Sequence, residues 1–339
     1  MVELTAENAI DYLRHMRWIN AGRAQAEILS GGVSNQVLRI TTPERRFVLK
    51  QSRPQLRTRD AWFSDLDRIY REQEVMQALH PYLPGVVPEV LHVDRANYVY
   101  AMSHAPLEAR VWKSELLASN IDVNFAMKVG EVLGRMHQVS ADRASEFTSF
   151  RDHTVYVQLR VDPFYVRVQE RRPEVVAAIQ PIIDEMLTLK EALCHGDYTP
   201  KNILVHPVLP SPSGRGAGDE GFTLVDYETA HYGDPTMDLG LLLAHLTLKG
   251  VRAKERSSDF VELMRAFWSG YCAVVTFRPQ RELERRGLRH LGVCLLARVD
   301  GTSPVDYLPE DANREFVRRL GRTILLDGIA HWDQVWQQL

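Results

Sequence analysis

One short stretch constrains this chain more than any other. His195-Gly196-Asp197 follows the apolar pair Leu193-Cys194, Asn202 comes five residues after Asp197, and the apolar run Ile203-Leu204-Val205 follows at once. The apolar pieces read as buried strands, so the chain between them must turn tightly while carrying a carboxylate and an amide. A second apolar run, Phe222 to Val225, ends in another acid, Asp226. Two strands that each deliver a polar side chain at their tip call for a fold organised around a charged site.

His-Gly-Asp alone is an ordinary turn, in which glycine bends the chain and aspartate caps it. The asparagine at fixed spacing and the acid after a second strand give it more meaning. A carboxylate beside a hydroxyl can take up its proton, and an amide oxygen with a second carboxylate can hold magnesium against phosphates. Phosphoryl transfer to a hydroxyl needs that set. Asp197 is therefore the candidate catalytic base, and Asn202 and Asp226 are candidate magnesium ligands. Glu228 lies two residues beyond Asp226; on an extended segment the two would point the same way, making Glu228 a possible second acidic ligand. Asp234 before Pro235 reads as a helix N-cap, and Asp238 as a brace for the catalytic loop.

The small N-terminal part is β-rich. Ala24, Ala26 and Ile28 alternate with polar residues as a half-buried strand, and Val37 to Ile40 and Phe47 to Lys50 form the next two. An amphipathic helix is expected over 65–80, stopped by Pro81, then strands over 89–93 and 98–102. Thr5 can cap a helix carrying Ile10, Leu13 and Met16. Beyond residue 104 helical patterns dominate, over 121–139, 174–190, 235–248, 258–275, 288–298 and 313–338. The chain is expected to be an α+β protein. A nucleotide-binding lobe of antiparallel sheet would span 1–104, and a helical catalytic and substrate lobe 105–339.

Lysine usually ends up in solvent, yet Lys50 closes the strand Phe47-Val48-Leu49. On the 65–80 helix, Ile69, Glu72, Met76 and Leu79 fall on one face. A carboxylate on the buried face needs a partner, and Lys50 is the obvious one, its head then fixed for nucleotide phosphates. Gly31 and Gly32 turn between two strands where backbone amides can approach phosphates, and Ser34 and Asn35 can add donors. Ala101 and Ser103, at the end of the last strand, are placed to present backbone groups to an adenine edge.

Net charge is −3 for 339 residues, and the arginines are dispersed, which gives no general field for nucleic acid or a membrane surface. Three cysteines at irregular spacing argue against a disulfide framework or a zinc site and fit a reducing, cytoplasmic compartment. Cys194 reads as buried and inert. Met1 to Thr5 shows no signal-peptide pattern, and the longest apolar stretch, Leu239 to Leu248, is too short to span a bilayer.

Together, Lys50, Glu72, the His195 to Val205 run and Asp226 resemble the aminoglycoside phosphotransferase and choline kinase family, over roughly residues 20 to 250. The resemblance implies a bilobal protein-kinase-like fold, ATP and Mg2+ as cofactors, and a small-molecule hydroxyl as acceptor. It implies Asp197 as base, Asn202 and Asp226 on magnesium, Lys50 on the α- and β-phosphates, Glu72 orienting Lys50, and His195 bracing the loop. Leu49 to Pro54, Leu66-Asp67-Arg68 and the Asp226/Glu228 pair are similar to methylthioribose kinases. Asn202 and the single late Arg298 depart from that subgroup, so the acceptor stays open. Arg160, Tyr165 and Arg298, polar residues in helical surroundings, are candidate acceptor contacts. A nucleotide-binding regulatory module and an antibiotic kinase are the alternatives. The complete set Lys50, Asp197, Asn202 and Asp226 speaks against the first, and the lack of an acidic cluster for a polycation against the second.

Overall fold

A computed structural model describes residues 2–29, 35–53, 66–207 and 221–339. The expected positions Gly31, Gly32 and Ser34 lie outside the described residues. The chain divides into two compact units, Met1–Ala109 with His206–Glu228, and Arg110–Val205 with Thr229–Leu339. The expected division near residue 104 therefore needs a correction: 206–228 joins the first unit. A backbone bond ties it there, from Leu224 N–H to the Val86 carbonyl.

The first unit is built on a five-stranded antiparallel sheet of order β1-β2-β3-β5-β4. The strands are β1 (Gln25–Ile28), β2 (Asn35–Thr41), β3 (Arg46–Ser52), β4 (Val90–Asp94) and β5 (Val99–Ser103). Strand β3 is central, and side chains alternate across it. Phe47 and Leu49 join Leu38, Ile40, Val99 and Ala101 in a core closed by Ala9 and Leu13 of α1 (Ala9–His15). The pleat sends Val48 and Lys50 to the opposite face, where Lys50 sits opposite Val37 and Tyr100. Helix α2 (Arg68–Leu79) buries Ile69, Glu72, Val75, Met76 and Leu79. Strand β1 departs from expectation: it is an edge strand, and Ile28 is 62% exposed rather than half-buried.

The second unit is helical around the Thr236–Ala253 helix, which is buried along almost its whole length. A helix apolar on every side belongs in the middle of a bundle. The Val123–Asp142 and Ser257–Val274 helices cross at backbone contact. A Cβ on Gly130 would lie 2.0 Å from the Phe267 carbonyl oxygen, and one on Gly270 2.1 Å from that of Met127, so only glycine fits at either place. The helix expected over 313–338 is two, Asp311–Leu326 and Trp332–Trp336, with Gly328 at φ +71° between them. The irregular turns over Val157–Val166, which carry Pro163, have no clear sequence periodicity. Two short antiparallel pairings flank the His195–Asn202 loop: Ala192–Cys194 with His231–Gly233, and Arg110–Val111 with Leu204–Val205. Among the described residues no helix is long and apolar enough to cross a membrane.

Candidate active site

In the first unit the charges gather around Lys50. Its Nζ lies 2.7 Å from Glu72 Oε1 and 3.1 Å from Asp226 Oδ1, and Glu72 Oε1 also accepts the Tyr227 N–H at 3.2 Å. The strand lysine and helix glutamate thus meet as the helical phase requires. Burial works against the ammonium of Lys50, but Glu72, Asp226 and Glu228 more than reverse this and hold it charged. Burial pushes the Glu72 carboxyl up to about 7, Lys50 opposes, and the other two acids add to the rise. The two shifts have one cause. Three carboxylates crowd one ammonium, and the most deeply buried of them carries the surplus.

Asp226 has φ +73°, left-handed backbone that a non-glycine residue adopts at a cost of about 1–2 kcal/mol. That conformation breaks the alternation expected to align Asp226 with Glu228. Glu228 stays in the cluster and also faces Arg68: its Oε2 lies 3.4 Å from Arg68 Nε and accepts from Asn35 Nδ2 at 3.3 Å. The Arg68 guanidinium thus faces this carboxylate, which also lies close enough to Lys50 to favour its ammonium. Asn35 is engaged with the same carboxylate. Arg68, one helical turn before Glu72 on the same face of α2, was legible by its phase and was missed.

Ala101 and Ser103 also differ from expectation. Ala101 sits inside the ladder, opposite Leu49 on one side and His92 on the other. The Ser103 N–H donates to the Glu89 carbonyl, and its hydroxyl accepts from the Glu89 N–H, both at 2.9 Å. Sheet pairing thus uses Ala101 and the Ser103 N–H.

In the second unit the loop after Cys194 is fixed from below by Asp238. Its two carboxylate oxygens accept the His195 N–H at 2.7 Å and the Gly196 N–H at 2.8 Å, and His137 Nε2 lies 3.4 Å away. Asp238 braces the loop as the sequence suggests. Gly196 has φ +74°, and a Cβ there would lie 2.5 Å from the Thr229 carbonyl oxygen. His195 Nδ1 accepts the Asp197 N–H at 3.2 Å, so this ring holds the turn. Burial pushes the Cys194 thiol well above its ordinary value, which removes it as a nucleophile. Asp238→Ala is expected to destabilise the protein by about 3–5 kcal/mol, because it strands two buried N–H groups and His137. Urea unfolding checks this, with Asp238→Asn costing less since one acceptor oxygen remains.

Asn202 Nδ2 donates to the Asp197 carbonyl at 2.9 Å and to Asp197 Oδ2 at 2.8 Å. Both amide hydrogens are thus spent on Asp197, and the amide carbonyl is what Asn202 can offer a cation. Arg160 Nη2 lies 2.8 Å and Lys201 Nζ 3.1 Å from Asp197 Oδ2. Burial would raise the Asp197 carboxyl, but Arg160, Lys201 and His195 together hold it well below the usual range. Arg160, expected as an acceptor contact, meets the Asp197 carboxylate itself and also donates to the Gly196 carbonyl at 2.8 Å. Lys201, four residues after Asp197, was not singled out. Tyr165 is corrected: it is fully buried, with its hydroxyl 2.6 Å from His290 Nδ1. Arg160 and Arg298 lie over the ring of Phe164, at 5.8 and 5.5 Å. Asp234, expected as the N-cap, precedes the capping residue Pro235; its carboxylate accepts the Thr236 N–H at 2.9 Å and forms a buried ion pair with Arg286.

A five-stranded antiparallel sheet bearing a lysine–glutamate pair, and a helical unit bearing the Asp197–Asn202 loop, define a kinase-like α+β protein. The chain belongs to the phosphotransferase enzyme family APH, whose sequence profile matches residues 25–256. It is a small-molecule kinase. The methylthioribose kinase of Exiguobacterium sibiricum is 22% identical over 314 residues, 83% of this chain and 75% of that one. Among solved structures, a candidate aminoglycoside phosphotransferase from Ralstonia eutropha aligns with TM-score 0.56 and 16% identity, over 98% of each chain. A choline/ethanolamine kinase family protein from Mesorhizobium loti aligns with TM-score 0.52 and 19% identity, also over 98% of each.

Proposed function

We propose that this enzyme moves the γ-phosphoryl group of ATP to a hydroxyl of a small metabolite, with Asp197 as the base. The observation that carries this reading is the state of Asp197. Its carboxylate is held ionised by Arg160 and Lys201, and Asn202 donates to it. Such a group orients a hydroxyl and takes its proton late, when the phosphoryl group is already loosened from its leaving oxygen. The hydroxyl oxygen bonds to the γ-phosphorus, the bond to the β,γ-bridging oxygen breaks, ADP leaves and the proton passes to Asp197.

Lys50, fixed by Glu72, offsets charge on the nucleotide phosphates. The first unit's cluster sets Glu72, Asp226 and Glu228 against Lys50 and Arg68. The excess of negative charge fits a bound cation. Asp226 and Asn202 are each candidate magnesium ligands, the first by a carboxylate oxygen and the second by its amide carbonyl, oxygen donors of the kind magnesium accepts. When bound, the ion neutralises charge on the transferring phosphates.

An ADP-release assay over hydroxylated metabolites tests the reading. Turnover is expected with Mg2+ and should fall by at least two orders of magnitude in excess EDTA, returning when Mg2+ is restored. Nucleotide binding without transfer to any acceptor would favour a regulatory module.

A further inference from the structure

A cavity of about 260 Å3 opens in the second unit beside the catalytic loop. Lys201 lines it, and the Nζ of this lysine is also 3.1 Å from Asp197 Oδ2. Three more cations line it, Lys113, Lys249 and Arg298, against one acid, Asp306. Asp306 is a peripheral counter-ion: its side chain is 85% exposed and lies 3.8 Å from Lys113.

Lys249 is the most telling of these. It is only 1% exposed. Its Nζ donates to the carbonyl of His245, on its own helix, at 3.1 Å, and lies 5.0 Å from the Tyr307 ring. Among the described residues no carboxylate pairs with it. Arg298 is likewise without a carboxylate among them; it donates to the Ser303 carbonyl at 2.8 Å. Burial pulls the Lys249 ammonium well below its ordinary value, and Lys113 and Arg298 push it further down. Holding an ammonium buried among other cations costs free energy. What relieves such a site is an anion.

We propose that this cavity holds an anionic group of the acceptor, a carboxylate or a phosphate ester, while the hydroxyl of the same molecule lies against Asp197. The proposal rests on the kinase reading and names the class of its acceptor: a small hydroxylated anion. Transfer proceeds as above, the hydroxyl oxygen gaining the γ-phosphoryl group as ADP leaves, with the anionic group unchanged. The lining disfavours cationic acceptors, since an ammonium would enter a field already positive. The volume suits a compact metabolite.

Calorimetric titration with inorganic phosphate, and separately with acetate, at constant ionic strength tests this. The wild type should bind at least one of them, and which one it binds sorts phosphate ester from carboxylate. Lys249→Met and Arg298→Gln should each weaken that binding at least tenfold. Lys254→Met, which alters an exposed lysine paired with Glu310, should not. Lys249→Met replaces an uncompensated buried charge by an apolar chain of similar length, so the variant should melt no lower than the wild type. Asp197→Asn should keep anion binding while losing transfer, which separates the two claims. Loss of transfer alone speaks to the base, and loss of anion binding alone to the cavity. If neither anion binds the wild type, if binding ignores Lys249, or if ethanolamine binds in their place, the proposal fails.

Discussion

Asp197→Asn is expected to lower phosphoryl transfer by about 10²–10⁴-fold while leaving nucleotide affinity within a factor of a few. The substitution is isosteric. It keeps the N–H bond to His195 and the backbone carbonyl that Asn202 holds, so the loop should stay folded. What disappears is the negative charge that, on the proposed reading, would orient the hydroxyl and receive its proton. The carboxylate is held well below its usual range. A group with a depressed value is ionised above it, so its contribution is lost only in strong acid. No activity limb from Asp197 should therefore appear between about pH 5 and 8. Steady-state rates with nucleotide binding measured in parallel check both points, and transfer within tenfold of wild type would remove Asp197 from the role of base.

Lys50→Met should be the most damaging change in the first unit. It leaves Glu72, 1% exposed, without its ammonium and beside two further acids. Breaking a buried pair in this way costs about 3–5 kcal/mol, and kcat/KM should fall with the lost phosphate contact. The pH dependence has a definite sign. The Glu72 carboxyl lies above its ordinary value, at about 7 in the intact protein, so the folded state holds the proton more tightly than the unfolded chain. Stability is fullest below the ordinary carboxylate value and declines as pH rises through the folded one. The wild type should lose Tm modestly between about pH 5 and 7, and Lys50→Met more steeply and over a window reaching higher. A flat profile in both proteins would contradict the charge crowding around Lys50.

The features legible in the sequence are those set by periodicity and local spacing. The phase of Glu72 on its helix and the strand position of Lys50 were enough to pair them, because a buried carboxylate at that phase has few partners to choose from. Asp238 was readable as a brace from its place at the start of a helix. The errors have equally local causes. Alternation failed at Asp226 because one left-handed residue redirects the chain. The 313–338 helix failed at Gly328 for the same reason. Ile28 was placed inward because alternation shows that a strand has two faces without showing that it lies at an edge. Tyr165 was taken for an acceptor contact because a polar group in apolar surroundings looks unsatisfied until its partner, His290, far away in the chain, is seen.

The His195 to Val205 run, the Lys50–Glu72 pair and Asp226 follow from sequence alone, since residue type and period determine which groups are presented and on which face. Tertiary structure decided the rest. It turned Arg160 onto Asp197, gave Glu228 to Arg68, and assembled Lys113, Lys201, Lys249 and Arg298 around one cavity. These residues come from separate segments whose spacing in the chain carries no signal. Charge acts through distance and burial, and both are fixed only when the helices pack.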